Sequence, residues 1–193
     1  MKKKLLSAFM CVAMSAALLA GCGGKDQSAD AGTDNGGNEG GSDVITIGFS
    51  QVGAESDWRT ANSESMKSTF SKDNGYDLIF DDAQQKQENQ ITAIRNFIQQ
   101  EVDYIVLAPV TETGWDTVLQ EAKDADIPVI IVDRMVDVSD DDLFTAWVGS
   151  DFELEGKKAC AWLNAYAEAK GMKEVNIVDI QGTIGASAQI GRT

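Results

Sequence analysis

The chain has 193 residues, of which 31 are acidic and 16 basic, giving a formal net charge of −15 with 43% hydrophobic residues. This apolar content is that of a globular protein rather than a disordered chain, and the acidic balance leaves no basic surface for a nucleic acid partner. The sequence contains no histidine, so the commonest general base and metal ligand is missing and a catalytic triad that uses histidine is excluded.

The first 21 residues have the layout of a secretory signal peptide. Lys2–Lys4 form a positive start, and the apolar stretch 5–20 is shorter than the roughly 20 residues of a membrane span. The run LAGC ends at Cys22 and resembles the lipobox of bacterial lipoproteins, in which the chain is cut before an acylated cysteine. We therefore predict a lipid anchor on Cys22 that holds the protein at the extracytoplasmic face of the cell membrane. An ordinary signal peptide with a chance cysteine is the alternative.

Residues 22–43 are predicted to form a flexible linker that begins at the lipid-bearing cysteine. After Cys22 the chain reads GGKDQSADAGTDNGGNEGGSD, and glycine, serine and acidic residues cannot bury enough apolar area to fold. The r.m.s. reach of such a coil is about 25 Å, which is enough to hold a domain clear of lipid headgroups.

A regular alternation of apolar runs and helical spacings begins at Val44. Strands are predicted at 44–49, 76–80, 104–108, 129–132, 143–148 and 175–180, and helices at 57–73, 87–101, 112–125 and 152–170. Strands that are apolar throughout and alternate with helices are typical of a parallel sheet covered by helices on both faces. The predicted fold class is therefore α/β, with a doubly wound parallel sheet.

The apolar stripes of the predicted helices identify the expected core. These stripes contain Trp58, Ala61, Met66 and Phe70; Ile91, Ile94, Phe97 and Ile98; Trp115, Val118, Leu119 and Ala122; and Ala159, Trp162 and Tyr166. Cys160 is expected to be a small buried hydrophobic residue.

Ligands of such a sheet bind beyond the carboxyl ends of its strands, so the residues that follow the strands are candidates. The run SQVGAESDWR follows the first strand, DDAQQ the second and DR the fourth. Asp133 can accept charge-assisted hydrogen bonds from two hydroxyls, and Arg59 and Arg134 offer forked donors. Trp58 offers a flat apolar face. The combination favours a polyol such as a neutral sugar over an anion or an apolar ligand.

Each candidate also has a simpler interpretation. Asp133 and Arg134 could form a surface ion pair of little energetic value, Trp58 could cap the core, and Asp81–Asp82 suit a solvated strand end or a helix start. The loop 182–187 follows a predicted strand, but it lacks the Gly-Lys-Ser/Thr ending of a phosphate-binding loop and departs from the dinucleotide fingerprint. No cofactor and no metal is predicted.

Four separated runs carry a resemblance to a known family. IGFSQVGAESDWR, QQKQENQ, IPVIIVDR and VDIQGTIGASAQIGR together resemble the periplasmic sugar-binding proteins of the ribose/galactose type, which have the type 1 periplasmic-binding fold. Within that family they are most similar to the galactofuranose-binding members that serve ABC importers. The likeness covers nearly everything from Ile45 to Arg192.

The resemblance implies two α/β lobes of flavodoxin-like strand order, joined by three hinge crossings, with the sugar in the cleft between them. Because the family continues for about another lobe, residues 44–150 are expected to be the first sugar-binding lobe and 151–193 the start of an incomplete, C-terminally truncated second lobe. Asp151 falls where the chain first crosses the hinge.

The resemblance also assigns roles by position. Trp58 and Arg59 match the aromatic-bearing loop that flanks the sugar. Asp133 and Arg134 match the acid–arginine pair that grips its hydroxyls. Arg192 matches the arginine that reaches the sugar from the second lobe. Three residues of the first loop are weaker ligand-binding candidates: Ser50, Glu55 and Ser56.

The function that the resemblance implies is binding without catalysis. A monosaccharide similar to galactose or galactofuranose enters the open cleft, the lobes close, and the closed form docks on the membrane permease of an ABC importer. A sugar sensor that docks on a receptor kinase or chemoreceptor is the alternative. A carbohydrate hydrolase with paired carboxylates is a third reading, which neighbouring arginines disfavour because a general acid must hold its proton.

Overall fold

The structure is a computed structural model that describes residues 44–193. Its elements are the strands β1 Ile45–Gln51, β2 Tyr76–Asp82, β3 Tyr104–Leu107, β4 Val129–Asp133 and β5 Ala146–Gly149, and the helices α1 Asp57–Thr69, α2 Gln87–Gln99, α3 Asp116–Asp124, α4 Phe152–Ala169 and α5 Ser187–Arg192. Short 3-10 turns lie at Lys72–Asn74 and Asp141–Leu143. The predicted signal peptide, lipid-bearing Cys22 and linker lie outside the described residues.

The five strands form one parallel sheet in the order β2-β1-β3-β4-β5. In the centre, Ile47 of β1 lies opposite Leu78 of β2 on one side and Tyr104 of β3 on the other. This is the flavodoxin-like order, so the predicted fold class is confirmed. The chain changes direction of winding between β1 and β3, and folds of this order bind ligands in the crevice beyond the carboxyl ends of those strands.

The two faces of the sheet carry separate apolar clusters. Alternate residues of β3 divide between them, since successive side chains of a strand point to opposite faces. Ile105 and Leu107 join the cluster under α2 and α3, whereas Val106 joins the cluster that also contains Phe49. Trp115 is fully buried in the first cluster, as its helical stripe predicts.

The inner face of α1 differs from the prediction. Trp58 is 56% exposed, and Arg59 is the buried residue of this helix. Met66 and Phe70 do pack against the cluster around Phe49, as half-buried side chains. The difference arises at the helix start, where Gln51 and Asp133 at the sheet edge accept hydrogen bonds from Arg59, and Trp58 stays outside.

Three further predictions are wrong in the segment after β5. The expected strand 175–180 is not formed, and two of its side chains, Val178 and Ile180, are 87% and 91% exposed. A strand needs a neighbour for its backbone hydrogen bonds, and no described strand lies beside this segment. The predicted core residues Trp162 and Tyr166 are exposed on α4 and stack on each other, and Cys160 is also exposed.

The described residues contain no helix that is both long enough and apolar enough to span a membrane. Helix α5 lies at Ser187–Arg192, beyond the last predicted element. This short helix packs against α4, so it brings Arg192 beside the start of α4.

Candidate functional site

A cavity of about 380 Å³ opens beyond the carboxyl ends of β1, β4 and β5. It is lined by residues that follow these strands and by residues of α5: Glu55, Ser56, Trp58, Arg59, Asp133, Arg134, Ser150, Phe152, Ala188 and Arg192. The sheet therefore brings together every predicted ligand-binding residue except Ser50. This residue is fully buried, and its Oγ has no hydrogen-bond partner among residues 44–193.

Arg59 is the best-anchored side chain of this cavity. Ser56 caps α1 by accepting a hydrogen bond from the Arg59 backbone N–H at 3.2 Å, which places Arg59 in the first turn and directs it to the sheet edge. The guanidinium then donates to Asp133 Oδ2 at 2.9 Å, to Gln51 Oε1 at 3.1 Å and to Glu55 Oε1 at 3.3 Å. The side chain of Arg59 is 4% exposed. Its positive charge is therefore held in a fixed position at the side of the cavity, unlike that of a mobile surface arginine.

Asp133 ends β4 in an unusual backbone conformation. Its φ of 65° lies in the left-handed region, which non-glycine residues enter rarely, although aspartate tolerates it better than most. Residues held in such a conformation cost of the order of 1–3 kcal/mol and are found at functional sites. In this conformation the Asp133 carboxylate contacts Arg59. The next side chain, Arg134, lies over the end of the sheet, where its Nη1 donates to the Val110 carbonyl at 3.1 Å.

Two guanidinium groups and two carboxylates determine the electrostatics of the cavity: those of Arg59, Arg134, Asp133 and Glu55. Burial lowers the pKa of Arg134 from its ordinary value, and the charge of Arg59 lowers it further, while Asp133 and Glu55 act in the opposite direction. Removing the carboxylate at position 133 would therefore leave Glu55 as the carboxylate that offsets the mutual repulsion of the two guanidinium groups.

Trp58 supplies the apolar part of the cavity. Its ring lies 4.8 Å from the guanidinium carbon of Arg59, and its exposed face borders the opening. A flat aromatic face beside forked donors and a carboxylate can hold a ligand that is polar at its edge and apolar on its C–H face.

Two remaining candidates belong to the segment after β5. Arg192 borders the cavity, but its guanidinium bonds Glu155 Oε2 at 2.7 and 2.8 Å and lies over the Phe152 ring. Asp151 accepts a hydrogen bond from the Leu154 N–H at 2.8 Å and so caps α4. The predicted hinge position is thus the point at which the chain leaves β5 and starts a helix.

Sequence reasoning missed four residues of this region. Ser150, Phe152 and Ala188 line the cavity, and Gln51 holds Arg59 from beneath without lining the cavity. A signal for Gln51 existed in the sequence, since it is an uncharged polar residue at the end of a strand that is rich in apolar residues. The lining role of the other three depends on packing between α4, α5 and the sheet edge.

Comparisons with known proteins show which family the chain is similar to. Residues 47–193 match the family model of the periplasmic binding protein domain. The galactofuranose-binding protein YtfQ of Escherichia coli is 51% identical over 148 residues, which are 77% of this chain and 45% of that protein. The chain thus spans about half the length of the curated relatives it matches.

Two solved structures extend the comparison. One is a Mycobacterium smegmatis protein in complex with β-D-fucofuranose, with 52% identity and a TM-score of 0.71 over 77% of this chain and 48% of that one. The other is the periplasmic binding protein component of the arabinose ABC transporter of Shewanella sp. ANA-3, bound to α- and β-L-arabinofuranose. It is 54% identical, with a TM-score of 0.69 over 77% of this chain and 47% of that one.

Proposed function

The chain belongs to the periplasmic binding protein family, and on that premise we propose that it is the solute-binding part of a bacterial ABC importer that captures a monosaccharide in its furanose form. One observation carries the proposal: Arg59, Asp133 and Arg134 meet Trp58 at the lip of one cavity. Three relatives named for or bound to galactofuranose, fucofuranose and arabinofuranose support the choice of ring form.

The proposed binding mode uses the oxygen atoms that Arg59 leaves free. Arg59 engages Asp133 Oδ2 and Glu55 Oε1, so the second oxygen of each carboxylate can accept a hydrogen bond from a sugar hydroxyl. The unengaged N–H groups of Arg59 and Arg134 donate to hydroxyl or ring oxygens, and Trp58 covers the C–H face. Every group in this mode binds the sugar, and none transfers a proton or forms a covalent bond, so the proposed activity is capture and release.

The proposed partner of the loaded protein is a membrane permease. Periplasmic binding proteins close around their ligand by hinge motion, and residues 151–193 are proposed to begin the second lobe that closes on residues 44–150. The alternative partner is a receptor kinase or chemoreceptor, which would read the same closed form. Deleting the neighbouring permease gene distinguishes them, because uptake of the sugar is lost only for an importer.

A panel of sugars tests the proposed function directly. We expect thermal unfolding of the full-length protein to shift upward with arabinofuranose- or galactofuranose-forming sugars and their furanosides, because a ligand that binds only the folded state stabilises it by RT ln(1 + [L]/Kd). Methyl pyranosides, which are locked in the six-membered ring, are the matched control. No shift with any sugar, or turnover of an oligosaccharide, would contradict the proposal.

We expect replacement of Trp58 by alanine to weaken sugar binding by about 2 kcal/mol, roughly 30-fold in Kd. The aromatic face against the C–H side of the sugar is lost, while the fold loses little because this side chain is 56% exposed. Calorimetry measures the affinity and thermal unfolding the stability. Trp58→Phe keeps a flat face and should retain most of the affinity; an equal loss in both variants would argue against a stacking role.

The lipid anchor is proposed for the segment before the described residues. We expect mature protein to start at Cys22 with acyl groups attached, and to sediment with membranes. A single acyl chain binds a membrane only marginally, so the N-terminal peptide should carry at least two chains in its mass spectrum. Cys22→Ala should leave the protein uncut or release it from the membrane. An unmodified N-terminus on membrane-free protein would refute the anchor.

A further inference from the structure

Gln51 is a buried polar residue at the carboxyl end of β1 that does not border the cavity. Its carboxamide oxygen accepts from the Val52 N–H at 3.0 Å and from Arg59 Nη1 at 3.1 Å. Its nitrogen donates to Asn62 Oδ1 at 2.8 Å and to Ser63 Oγ at 3.1 Å. All the hydrogen-bonding capacity of a glutamine side chain is therefore used.

These four bonds fix the orientation of the carboxamide. The oxygen must face the backbone N–H and the guanidinium, and the nitrogen must face the second turn of α1, where Ser63 itself donates to the Arg59 carbonyl at 3.0 Å. An apolar side chain of the same length would leave a buried N–H and part of a buried cation without an acceptor, which is costly.

The guanidinium of Arg59 is held in its plane by three partners. Glu55 and Asp133 lie on the cavity wall, with side chains 25% and 21% exposed, and both are available to a ligand. Gln51 is the fully buried partner, so it is the one whose position ligand binding and solvent leave unchanged. Without it, the bond to Glu55 at 3.3 Å and the bond to Asp133 at 2.9 Å would be free to draw Arg59 toward the opening.

We propose that Gln51 is a positioning residue for sugar binding: it fixes the guanidinium of Arg59 and, through Arg59, the carboxylate of Asp133. The proposal rests on the proposed sugar-binding function. Its first consequence, an ordered Arg59 side chain, can be measured without any sugar. Its second consequence is that substitution of Gln51 lowers the affinity for sugar because Arg59 is displaced, and this can be measured only with a sugar ligand.

The first experiment observes the Arg59 Nε–H in a ¹⁵N-labelled full-length protein, with the signal assigned by its absence from Arg59→Lys. We expect a slowly exchanging Nε–H in the unmodified protein, a rapidly exchanging or broadened one in Gln51→Met, and a preserved one in Gln51→Glu. The glutamate keeps both acceptor contacts. Its other oxygen takes the place of the Gln51 nitrogen, where Ser63 can rotate its hydroxyl toward it and Asn62 can turn its amide so that Nδ2 donates in place of the accepting Oδ1. Gln120→Met, on the exposed side of α3, is the matched control and should leave the signal unchanged. Rapid exchange in the unmodified protein, or slow exchange in Gln51→Met, would overturn the proposal.

The second experiment is a double-mutant cycle on affinity for the best sugar of the panel. We expect Gln51→Met to weaken binding roughly 10-fold to 100-fold, as small misplacements of positioned groups do, and Gln51→Glu to restore most of it. In an Arg59→Lys background, Gln51→Met should change affinity by less than about 2-fold, because residues that act through one another are not additive. Equal losses in both backgrounds would overturn the proposal and leave Gln51 a purely structural residue.

The two experiments separate failure of this inference from failure of the proposed function. If the unmodified protein binds no sugar, the proposed function fails, and the exchange of the Arg59 Nε–H still decides whether Gln51 orders the guanidinium. If sugar binds tightly and Gln51→Met binds equally well, the positioning role fails and the proposed function stands. Should Gln51→Met not fold, Gln51→Asn, whose carboxamide is one methylene too short to keep the contacts to Arg59 and Val52, provides the same comparison alone and in the Arg59→Lys background.

Discussion

Asp133→Ala is expected to weaken sugar binding by about 2–4 kcal/mol, roughly 30-fold to 1,000-fold in Kd. The substitution removes the acceptor for sugar hydroxyls. It also leaves Arg59, whose side chain is 4% exposed, without its partner at 2.9 Å and facing the guanidinium of Arg134. Alanine tolerates the left-handed φ of 65° at this position less well than aspartate, so the strand end should shift as well. Calorimetry with the full-length protein measures the effect.

Asp133→Asn is the matched control for this experiment. Asparagine keeps the shape, one acceptor oxygen and the tolerance of a left-handed backbone, and it removes only the charge. We expect it to lose affinity to an intermediate extent, because charge-assisted hydrogen bonds are roughly twice as strong as neutral ones. Unchanged affinity in both variants would place the sugar elsewhere.

Trp115→Ala is expected to destabilise the chain by about 3–5 kcal/mol, the usual cost of removing a large aromatic residue from a core. Trp115 is fully buried among the side chains under α2 and α3, and its Nε1–H donates to the Thr111 carbonyl at 2.8 Å. The substitution leaves a cavity and an unpaired carbonyl together. Urea unfolding followed by circular dichroism measures the free energy of unfolding.

Trp162→Ala gives the same chemical change on an exposed helix. This side chain is 67% exposed on α4, and its stacking with Tyr166 is the main contact it would lose. We expect the free energy of unfolding to change by no more than about 0.5 kcal/mol, as for most surface substitutions. A loss similar to that of Trp115→Ala would mean that α4 is packed in solution against a surface that the described residues do not form.

The central sheet could be predicted from the sequence because each strand contains a short apolar run. Phe49, Val106 and Ile131 lie in such runs, and all of them are buried. Trp115 and Trp162 show the limit of the same reasoning. Both lie on predicted helical apolar stripes, yet only the helix that begins directly after Trp115 covers a face of the sheet. Periodicity reports which face of a helix is apolar and carries no information on whether another element meets it.

The residues of the candidate site could be predicted from the sequence, but the hydrogen bonds that connect them could not. Strand ends and chemistry pointed to Asp133, Arg134 and Trp58, and all three border one cavity. The burial of Arg59 depends on the fourfold bonding of Gln51 and on the cap at Ser56, which are contacts between side chains that no spacing rule contains. The predicted strand 175–180 was wrong for a related reason: its apolar pattern is real, but pairing requires a neighbour.

The bond between Arg59 and Asp133 joins residues 74 positions apart. β3 lies between β1, which precedes the helix of Arg59, and β4, which ends at Asp133. The chain must therefore close a long loop and pair β1, β3 and β4 before any binding site exists, and such distant contacts form late in folding. A chain that has not yet paired these strands therefore exposes apolar surface before the candidate site exists. Under the proposed function, an incompletely folded molecule would gain no stability from sugar, whereas a fully folded one would.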